Sequence, residues 1–311
     1  MPFTGSGETA GVGVDWGEQA ATSAAAARKK IKIGCFTKKK YTANQVFRSK
    51  ISFPMITSSH NPKVQQVRAY LGRRQARDEA QVLVAEGVRL VEEALQAGLR
   101  PGLVLYSDVL SERGRLVVQR LEAAGAETEE TFPKLLDSLS ATETSQGLLA
   151  VFNRMEKPLP VKPDFILVID QVRDPGNLGT LLRSAAAAGV QAVLLAPGTT
   201  DAYAPKALRA GMGAQFRLPL RALDWREIQQ FCRPGLAMYL AEAWEGIPCW
   251  QIDLRWPLAL VVGGEAEGAT KDAREAADGL VTIPMPGESE SLNAAIAASI
   301  LMFEIVRQRS T

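Results

Sequence analysis

The stretch FILVIDQVRDPGNLGTLLR, at residues 165–183, indicates the architecture of the second half of the chain. It begins with an almost unbroken apolar run, which is typical of a strand buried on both faces of a parallel sheet. A loop rich in Pro and Gly follows and opens into a helix predicted over 178–188, with Asn177 as its N-cap and Gly189 just beyond its end. Ligands of open α/β sheets bind at the carboxyl ends of strands, so this loop is a candidate binding site.

Asn177, Thr180 and Arg183 follow one another at intervals of three along this helix, so their side chains can face one space. Read alone, Asn177 is an ordinary helix cap and Arg183 an ordinary solvated residue. The sequence Asp-Pro-Gly-Asn-x-Gly ahead of the helix favours a close approach of the backbone to a ligand instead.

Two later loops have the same setting. GGEAEG at 263–268 follows the apolar run 258–262, and PMPGESESLN at 284–293 follows the run 280–284. Taken singly, the loop at 263–268 reads as a strand-to-helix turn, and the loop at 284–293 reads as the start of an N-capped helix. Glu265 stands where a dinucleotide fingerprint needs its second glycine, and the loop lacks the Lys-Ser/Thr of a P-loop. Three loops at the same sheet edge predict one shared site.

The pattern predicts an α/β protein with two domains. The second has five strands that alternate with helices, as in a doubly wound parallel sheet: strands 165–170, 190–195, 237–241, 258–262 and 280–284, with helices 178–188, 203–212 and 292–308. The first is a smaller α/β unit: strands 82–84, 103–106 and 147–152, with helices 87–97 and 113–124. Three prolines within 157–163 mark a linker.

The composition excludes several kinds of chemistry. With His60 as the single histidine among 311 residues, a two-histidine metal site is impossible, and the chemistry falls to Arg, Glu, Asn, Ser, backbone amides or a cofactor. The three cysteines form no CxxC pair, which indicates neither a zinc knuckle nor a disulfide framework and favours a reducing cytoplasm. No apolar run approaches the roughly 18 residues that span a bilayer.

Residues 1–54 differ from the rest, because they hold nine Lys/Arg and three Asp/Glu. Of the chain's 36 basic and 34 acidic residues, 27 and 31 therefore lie in 55–311, so this part can bind nucleic acid only through local basic patches. The basic segment is expected to be a disordered tail or an extension ahead of a start at Met55. A phosphate-gripping arm and an organelle-targeting segment are the alternatives.

Together the three loops resemble the motifs of the SpoU (TrmH) branch of the SPOUT RNA methyltransferases. The family's Asn-x-Gly-x-x-x-Arg is similar to 177–183, its Gly-x-Glu-x-x-Gly to 263–268, and its Ile-Pro-Met-x-Gly with Ser-Leu-Asn to 283–293. Each motif is weak alone, but the ordered triple match is specific. The sequence TSSHNPK at 57–63 and AEG at 85–87 resemble the family's L30e-like substrate-binding domain.

The resemblance implies a specific architecture. It divides the chain into an extension at 1–54, an L30e-like domain at 55–155, a linker at 156–163 and a methyltransferase domain at 164–311. The last domain would be tied in a trefoil knot that binds S-adenosylmethionine, and two copies would pair through helix 292–308 as a homodimer. The family requires neither a metal nor a membrane.

The resemblance also implies roles for residues. The catalytic set is Arg183, Asn177, Glu265, Ser291 and Asn293. The cofactor set is Gly263, Gly264, Gly268, Ile283, Pro284, Met285 and Leu292. Arg183 is either the general base or a cation that holds a phosphate and stabilises a developing alkoxide, and arginine resists deprotonation. Glu265 is expected to position Arg183 or a substrate group.

The reaction implied is methylation of a ribose 2′-hydroxyl in RNA. The separate first domain favours 23S rRNA over tRNA, and a non-catalytic RNA-binding adaptor is the alternative from another class. RNA contacts are expected from local basic clusters: Lys63, Arg68, Arg73, Arg74, Lys206 and Arg209, with Arg77 beside the first of them. Tyr203 is a candidate for stacking a base, and a core position is its alternative.

Overall fold

The computed structural model describes residues 55–140, 145–265, 268–287 and 291–310. The expectations for residues 1–54 lie outside these residues. Among the described residues, no helix has the length and apolar character needed to cross a membrane. The α/β architecture predicted from the sequence is confirmed, with one mixed sheet and one parallel sheet.

The first region is built on a four-stranded mixed sheet in the order β1-β4-β2-β3. Its elements are α1 Pro62–Gly72, α2 Arg74–Ala80, β1 Val82–Glu86, α3 Val88–Gln96, β2 Pro101–Tyr106, α4 Glu112–Ala123, β3 Glu127–Glu130, α5 Pro133–Asp137 and β4 Leu148–Asn153. β1 pairs antiparallel with β4, and β2 pairs parallel with β3. β3 was not predicted, because its sequence ETEE is polar and it lies at an edge where no residue of it is fully buried.

The second region is built on a seven-stranded sheet in the order β7-β6-β5-β10-β8-β11-β9. Its elements are β5 Phe165–Ile169, α6 Pro175–Ala187, β6 Ala192–Leu195, α7 Pro205–Gly211, β7 Leu220–Ala222, α8 Trp225–Cys232, β8 Ala237–Glu242, β9 Ile247–Pro248, β10 Leu258–Val262, α9 Lys271–Ala276, β11 Gly279–Thr282 and α10 Ala294–Arg309. Every strand pair in this sheet is parallel. The predicted strands are present with slightly different ends, and β7, β9, α8 and α9 were missed.

The sheet order brings the candidate loops together. β5 and β10 are fully buried neighbours, and Ile169 at the end of β5 lies opposite Val262 at the end of β10. The loops that follow these strands therefore start side by side. β8 separates β10 from β11, so the third loop starts two strands away and reaches the site through the beginning of α10.

The two regions pack on each other through α7 and the 3₁₀ turn Ala214–Phe216. Leu208 and Phe216, from the second region, are buried in the hydrophobic core of the first. Ion pairs cross the same boundary, from Arg77 to Asp201 and from Arg209 to Glu86. The first region is thus attached directly to the part of the second that supports α6.

Candidate active site

The first loop ends in a capped helix. Asp174, rather than Asn177, is the N-cap of α6, and its Oδ1 accepts a hydrogen bond from the Asn177 backbone N–H at 2.9 Å. Lys206 on α7 donates to Oδ2 of the same carboxylate at 2.6 Å. These two hydrogen bonds lower the pKa of the Asp174 carboxyl group, and the bond from Lys206 has the larger effect. The predicted cap was wrong because Pro175 already occupies the first helical position, which frees the Asn177 side chain for other contacts.

The side chain of Asn177 joins the three loops. Its Nδ2 donates a hydrogen bond to Oε1 of Glu265 in the second loop at 2.6 Å. Its Oδ1 accepts a hydrogen bond from Nδ2 of Asn293 in the third loop at 3.1 Å. Asn293 is itself the N-cap of α10, with its Oδ1 accepting from the backbone N–H groups of Ala295 and Ile296. One amide therefore fixes the relative positions of all three loops.

Arg183 lies apart from this junction. It is exposed on α6, six residues beyond Asn177, which corresponds to about 9 Å along a helix. Within the described part of the chain it makes no hydrogen bond or ion pair. Glu265 was expected to position Arg183 or a substrate group; in the structure its carboxylate accepts a hydrogen bond from Asn177.

A cavity of about 360 Å³ lies between the second and third loops. Its lining includes six of the seven residues in the predicted cofactor set, namely Gly263, Gly264, Gly268, Ile283, Met285 and Leu292, and Pro284 is the exception. Glu265, Ser291 and Asn293 line the same space. Its volume falls in the range typical of small-ligand sites. Residues that the sequence assigned to the catalytic and cofactor sets therefore line one cavity together.

The end of β8 completes the wall and was missed by sequence reasoning. Ala241, Glu242 and Ala243 line the cavity, and the Glu242 carboxylate is paired with Arg274 at 2.7 Å. β8 lies between β10 and β11, so its carboxyl end must open onto the same space. The strand itself was predicted from its apolar run, but its place in the sheet order was not.

The glycines of the second loop allow tight backbone packing. A Cβ on Gly264 would lie 2.4 Å from the carbonyl oxygen of Gln171, and one on Gly263 would lie 2.7 Å from the amide nitrogen of Ala269. β5 is followed by the buried Asp170 and then by Gln171, whose backbone is left-handed with a φ of 54°. Such a conformation is uncommon outside glycine, and it turns the chain out of β5 towards the second loop.

The predicted RNA-binding side chains differ in their surroundings. Lys63 pairs with Glu127 at 2.7 Å and also with Glu129, contacts that raise the pKa of the lysine. Lys206 and Arg209 are paired with Asp174 and Glu86. Arg73 is exposed, Arg68 is half-buried, and Arg74 pairs loosely with Asp78 at 3.3 Å. Arg77, placed beside this cluster from the sequence, is buried and bridges the two regions.

Tyr203 is half-buried between the two regions. It packs against the hydrophobic cores of both regions, and the guanidinium of Arg154 lies 4.8 Å from the centre of its ring. Burial is the main cause that raises the pKa of its hydroxyl. The packing alternative for this residue is therefore the one that the structure supports.

Comparison with known proteins identifies the family. Residues 164–303 match the SpoU rRNA Methylase family, and residues 61–150 match the MRM3-like substrate binding domain. The chain is 33% identical over 251 residues to the 23S rRNA (guanosine(2553)-2′-O)-methyltransferase RlmP of Bacillus subtilis, covering 80% of this chain and 98% of that protein. It is 31% identical over 266 residues to the 23S rRNA (uridine(2479)-2′-O)-methyltransferase of Streptomyces viridochromogenes, covering 81% and 92%.

A solved structure agrees with these sequence relatives. The crystal structure of an AdoMet-bound rRNA methyltransferase from Sinorhizobium meliloti superimposes with a TM-score of 0.73 at 30% identity, covering 81% of this chain and 97% of that one. A coverage of 81% is more than either region alone could give, so the likeness includes parts of both. The chain belongs to the SpoU rRNA methylase family.

Proposed function

We propose that this protein uses S-adenosylmethionine to methylate a ribose 2′-hydroxyl in 23S rRNA. The observation that carries the proposal is the junction at Asn177, which joins three loops beside a cavity of about 360 Å³. The names of the relatives from Bacillus subtilis and Streptomyces viridochromogenes give the reaction and the RNA. The geometry alone supports a small-ligand cavity between the second and third loops, with Arg183 exposed farther along α6.

The residues around the cavity fit S-adenosylmethionine. Ile283, Met285, Leu292 and Leu301 give apolar walls suited to an adenine ring and a methionine chain, while Ser291 and Glu265 give polar groups at its edge. When bound, the cofactor supplies an electrophilic methyl group on a positively charged sulfur. The backbone of the second loop, kept close to the end of β5 by its glycines, would hold it in place.

Arg183 is the proposed centre of the chemistry on the RNA side. Because no carboxylate neutralises it within the described residues, its positive charge is available to a substrate phosphate and to the oxygen that loses its proton. This role fits a guanidinium better than general-base catalysis, which requires a neutral arginine. Asn177 and Asn293 would keep the ribose in line with the methyl donor.

A direct test combines cofactor binding with methyl transfer. We expect calorimetry to detect binding of S-adenosylmethionine, and we expect tritium from labelled cofactor to enter 23S rRNA transcribed in vitro and to map to a single 2′-hydroxyl. A tRNA transcript is the matched control and should remain unlabelled. Absence of cofactor binding would refute the enzymatic assignment, whereas labelling of tRNA alone would refute the choice of RNA.

The domain boundaries are part of the proposal. We infer an RNA-binding domain at 55–155, a linker at 156–163 and a methyltransferase domain at 164–311 with the trefoil knot of its family. The separate sheets of the two regions and the lack of regular structure at 154–164 support these limits. Residues 1–54 are proposed to be dispensable, so a chain that begins at Met55 should methylate rRNA at the full rate. A strong loss of rate would make the basic segment a functional arm.

We further propose a homodimer formed through α10. Its inner face is buried, but Ile296, Ile300 and Phe303 are 52%, 41% and 48% exposed and follow one another at i, i+4 and i+7. Three large apolar side chains on one exposed helical stripe are typical of an interface. Sedimentation should give a dimer for the wild type and a monomer for Ile300→Asp. Leu116→Asp, at an exposed position on α4, should remain dimeric, and a monomeric wild type would refute the interface.

The buried, unpaired thiols of Cys232 and Cys249 support a reducing compartment, and we propose that the protein is cytoplasmic. Burial raises the pKa of the Cys232 thiol to about 12, so this thiol stays protonated and unreactive at neutral pH. Microscopy of the tagged full-length chain would test the location, and an organellar signal would overturn it.

A further inference from the structure

A second cavity, here called the side cleft, lies next to the site and is not used by the mechanism above. It has a volume of about 540 Å³ and opens where the ends of β6 and β7 meet the end of α2. Its walls include Arg74, Arg154, Thr199, Thr200, Tyr203 and Arg221. It is on the carboxyl edge of the parallel sheet, the edge at which ligands of such sheets bind.

Gln171 lies close to one lining residue of the side cleft and to one lining residue of the site. Gln171 packs against Gly198, which lines the side cleft, and its carbonyl oxygen faces Gly264, which lines the cavity beside Asn177. Two hydrogen bonds fasten the same wall to the chain that leaves β5: Thr200 N–H donates to Val172 O at 3.0 Å, and Thr199 Oγ1 donates to Ile169 O at 3.0 Å. A ligand in the side cleft would therefore be a near neighbour of a ligand in the site.

The charges of the side cleft suit a nucleobase better than a bare phosphate. Its three arginines are matched by three carboxylates, Asp78, Glu156 and Asp201, so its lining carries no excess of positive charge. Ion pairs already join these groups: Arg74 and Arg154 pair with Asp78, and Arg221 pairs with Glu156. A base edge presents both kinds of group, whereas a phosphate needs excess positive charge. Carboxylates accept from the amino and imino groups of a base, and arginines donate to its ring nitrogens and carbonyl oxygens.

Arg154 is the most suggestive side chain in the side cleft. Its side chain is only 12% exposed, its guanidinium carbon lies 4.8 Å from the centre of the Tyr203 ring, and it bonds Asp78 at 2.5 Å. Among the described residues its Nε has no hydrogen-bond partner, which is costly for a buried donor. A small rotation of the guanidinium towards the side cleft would give this donor an acceptor on a ligand, with the guanidinium plane as a stacking surface.

We propose that the side cleft binds one unstacked nucleotide of the RNA substrate, separate from the nucleotide that is methylated. This inference rests on the proposed function, because it takes RNA as the ligand. Sequence-specific proteins read single-stranded RNA through bases that are splayed out and stacked on aromatic or arginine planes. The exposed Arg74, which lines the side cleft, and its chain neighbour Arg73 would hold the adjoining phosphates, so the side cleft would contribute to the choice of RNA and not to the chemistry.

The test is to fill the side cleft without touching the site. Ala222 is exposed and lines it, so Ala222→Trp adds bulk there, and Ala124→Trp adds the same bulk to an exposed position at the end of α4 that lines neither cavity. With 23S rRNA transcribed in vitro, we expect Ala222→Trp to raise KM for RNA by roughly tenfold or more, as expected for the loss of one stacked base. Its kcat and its affinity for S-adenosylmethionine should stay within about twofold of wild type, as should every parameter of Ala124→Trp.

Arg154→Lys is a second, milder variant, because it keeps the charge and removes the planar donor group. It should raise KM for RNA in the same direction, and a thermal unfolding midpoint equal to wild type would exclude a folding defect in either variant. If both variants keep a wild-type KM while the enzyme methylates rRNA, the side-cleft proposal is wrong and the proposed function stands. If the wild type binds the cofactor but neither binds nor methylates the transcript, both are wrong.

Discussion

Asn177 is held at both ends of its side-chain amide. Its nitrogen donates to Glu265 and its oxygen accepts from Asn293, so neither end can rotate without breaking a bond between loops. The backbone N–H of the same residue bonds Asp174, which in turn is paired with Lys206. Asn177 therefore connects α7, through Asp174, to all three loops.

Replacing this amide should separate the loops. We expect Asn177→Ala to lower methyl transfer at saturating RNA by about 10²-fold, because a misplacement near 1 Å is enough for such a loss. Thr180→Ala is the control, since it lies on the same helix and, among the described residues, its hydroxyl bonds only the Gly176 carbonyl oxygen. Single-turnover assays would measure both, and equal rates for the two variants would show that the junction does not position the ribose.

Arg183 calls for a different pair of variants. Arg183→Ala should lower methyl transfer by at least 10²-fold, the loss expected when a charge that stabilises a transition state is removed. Calorimetry should find the affinity for S-adenosylmethionine unchanged, because Arg183 is not among the residues that line the cofactor cavity. Arg183→Lys should recover part of the rate if the role is electrostatic. A folded Arg183→Ala variant without cofactor binding would contradict this assignment of roles.

At the scale of helices and strands, Gly179 shows how a motif residue can serve packing. A Cβ at this position would lie 2.4 Å from the carbonyl oxygen of Ala207 and 2.6 Å from the Cβ of Ala210. The glycine thus lets α6 and α7 cross in direct backbone contact. This contact also brings Lys206 on α7 within reach of Asp174 at the start of α6.

Gly179→Ala should therefore destabilise the protein although alanine favours helices. We expect a loss of about 1–3 kcal/mol in the free energy of unfolding, the usual cost of overpacking. Gly72→Ala is the matched control at the end of α1, where nothing lies within 4 Å of the added carbon, and it should be neutral or slightly stabilising. Urea titrations would measure both, and equal effects would mean that the helices move apart at little cost.

The sequence predicted those elements whose patterns are strong. β5 and β10 are continuous apolar runs and were found within one residue of their true ends. β7, β9 and α9 were missed because each is short, and β3 because it is polar and lies at an edge. The cap of α6 was misassigned because Asp174 and Asn177 are both good N-cap residues, and only the position of Pro175 decides between them.

The arrangement of the whole molecule was beyond sequence reasoning for a physical reason. Strand order and the contact between regions depend on pairings between residues far apart in the chain, which leave no local pattern. Leu208 reads as part of the second domain, yet it is fully buried in the core of the first. The motifs predicted that the three loops lie together, as Asn177, Glu265 and Asn293 do. The role of α7 as a support for both regions became visible only in the structure.

The shared core predicts that the two regions unfold together. The first region has no tryptophan, whereas Trp225, Trp244, Trp250 and Trp256 all lie in the second, so tryptophan fluorescence of a Trp16→Phe chain reports the second region alone. Leu121→Ala removes a fully buried side chain from α4 in the first region, at a cost of about 2–5 kcal/mol.

If unfolding is coupled, Leu121→Ala should lower the midpoint of the tryptophan-detected transition although no tryptophan is near the change. The midpoint from circular dichroism, which reports both regions, should fall by the same amount. The loss of stability would reach the second region through the contact between the two regions. That contact consists of the buried side chains Leu208 and Phe216 and of two ion pairs, Arg77–Asp201 and Arg209–Glu86. An unchanged tryptophan midpoint beside a lowered dichroism signal would show two independent domains. In that case the first region could move relative to the site, and the side cleft between them would not have a fixed shape.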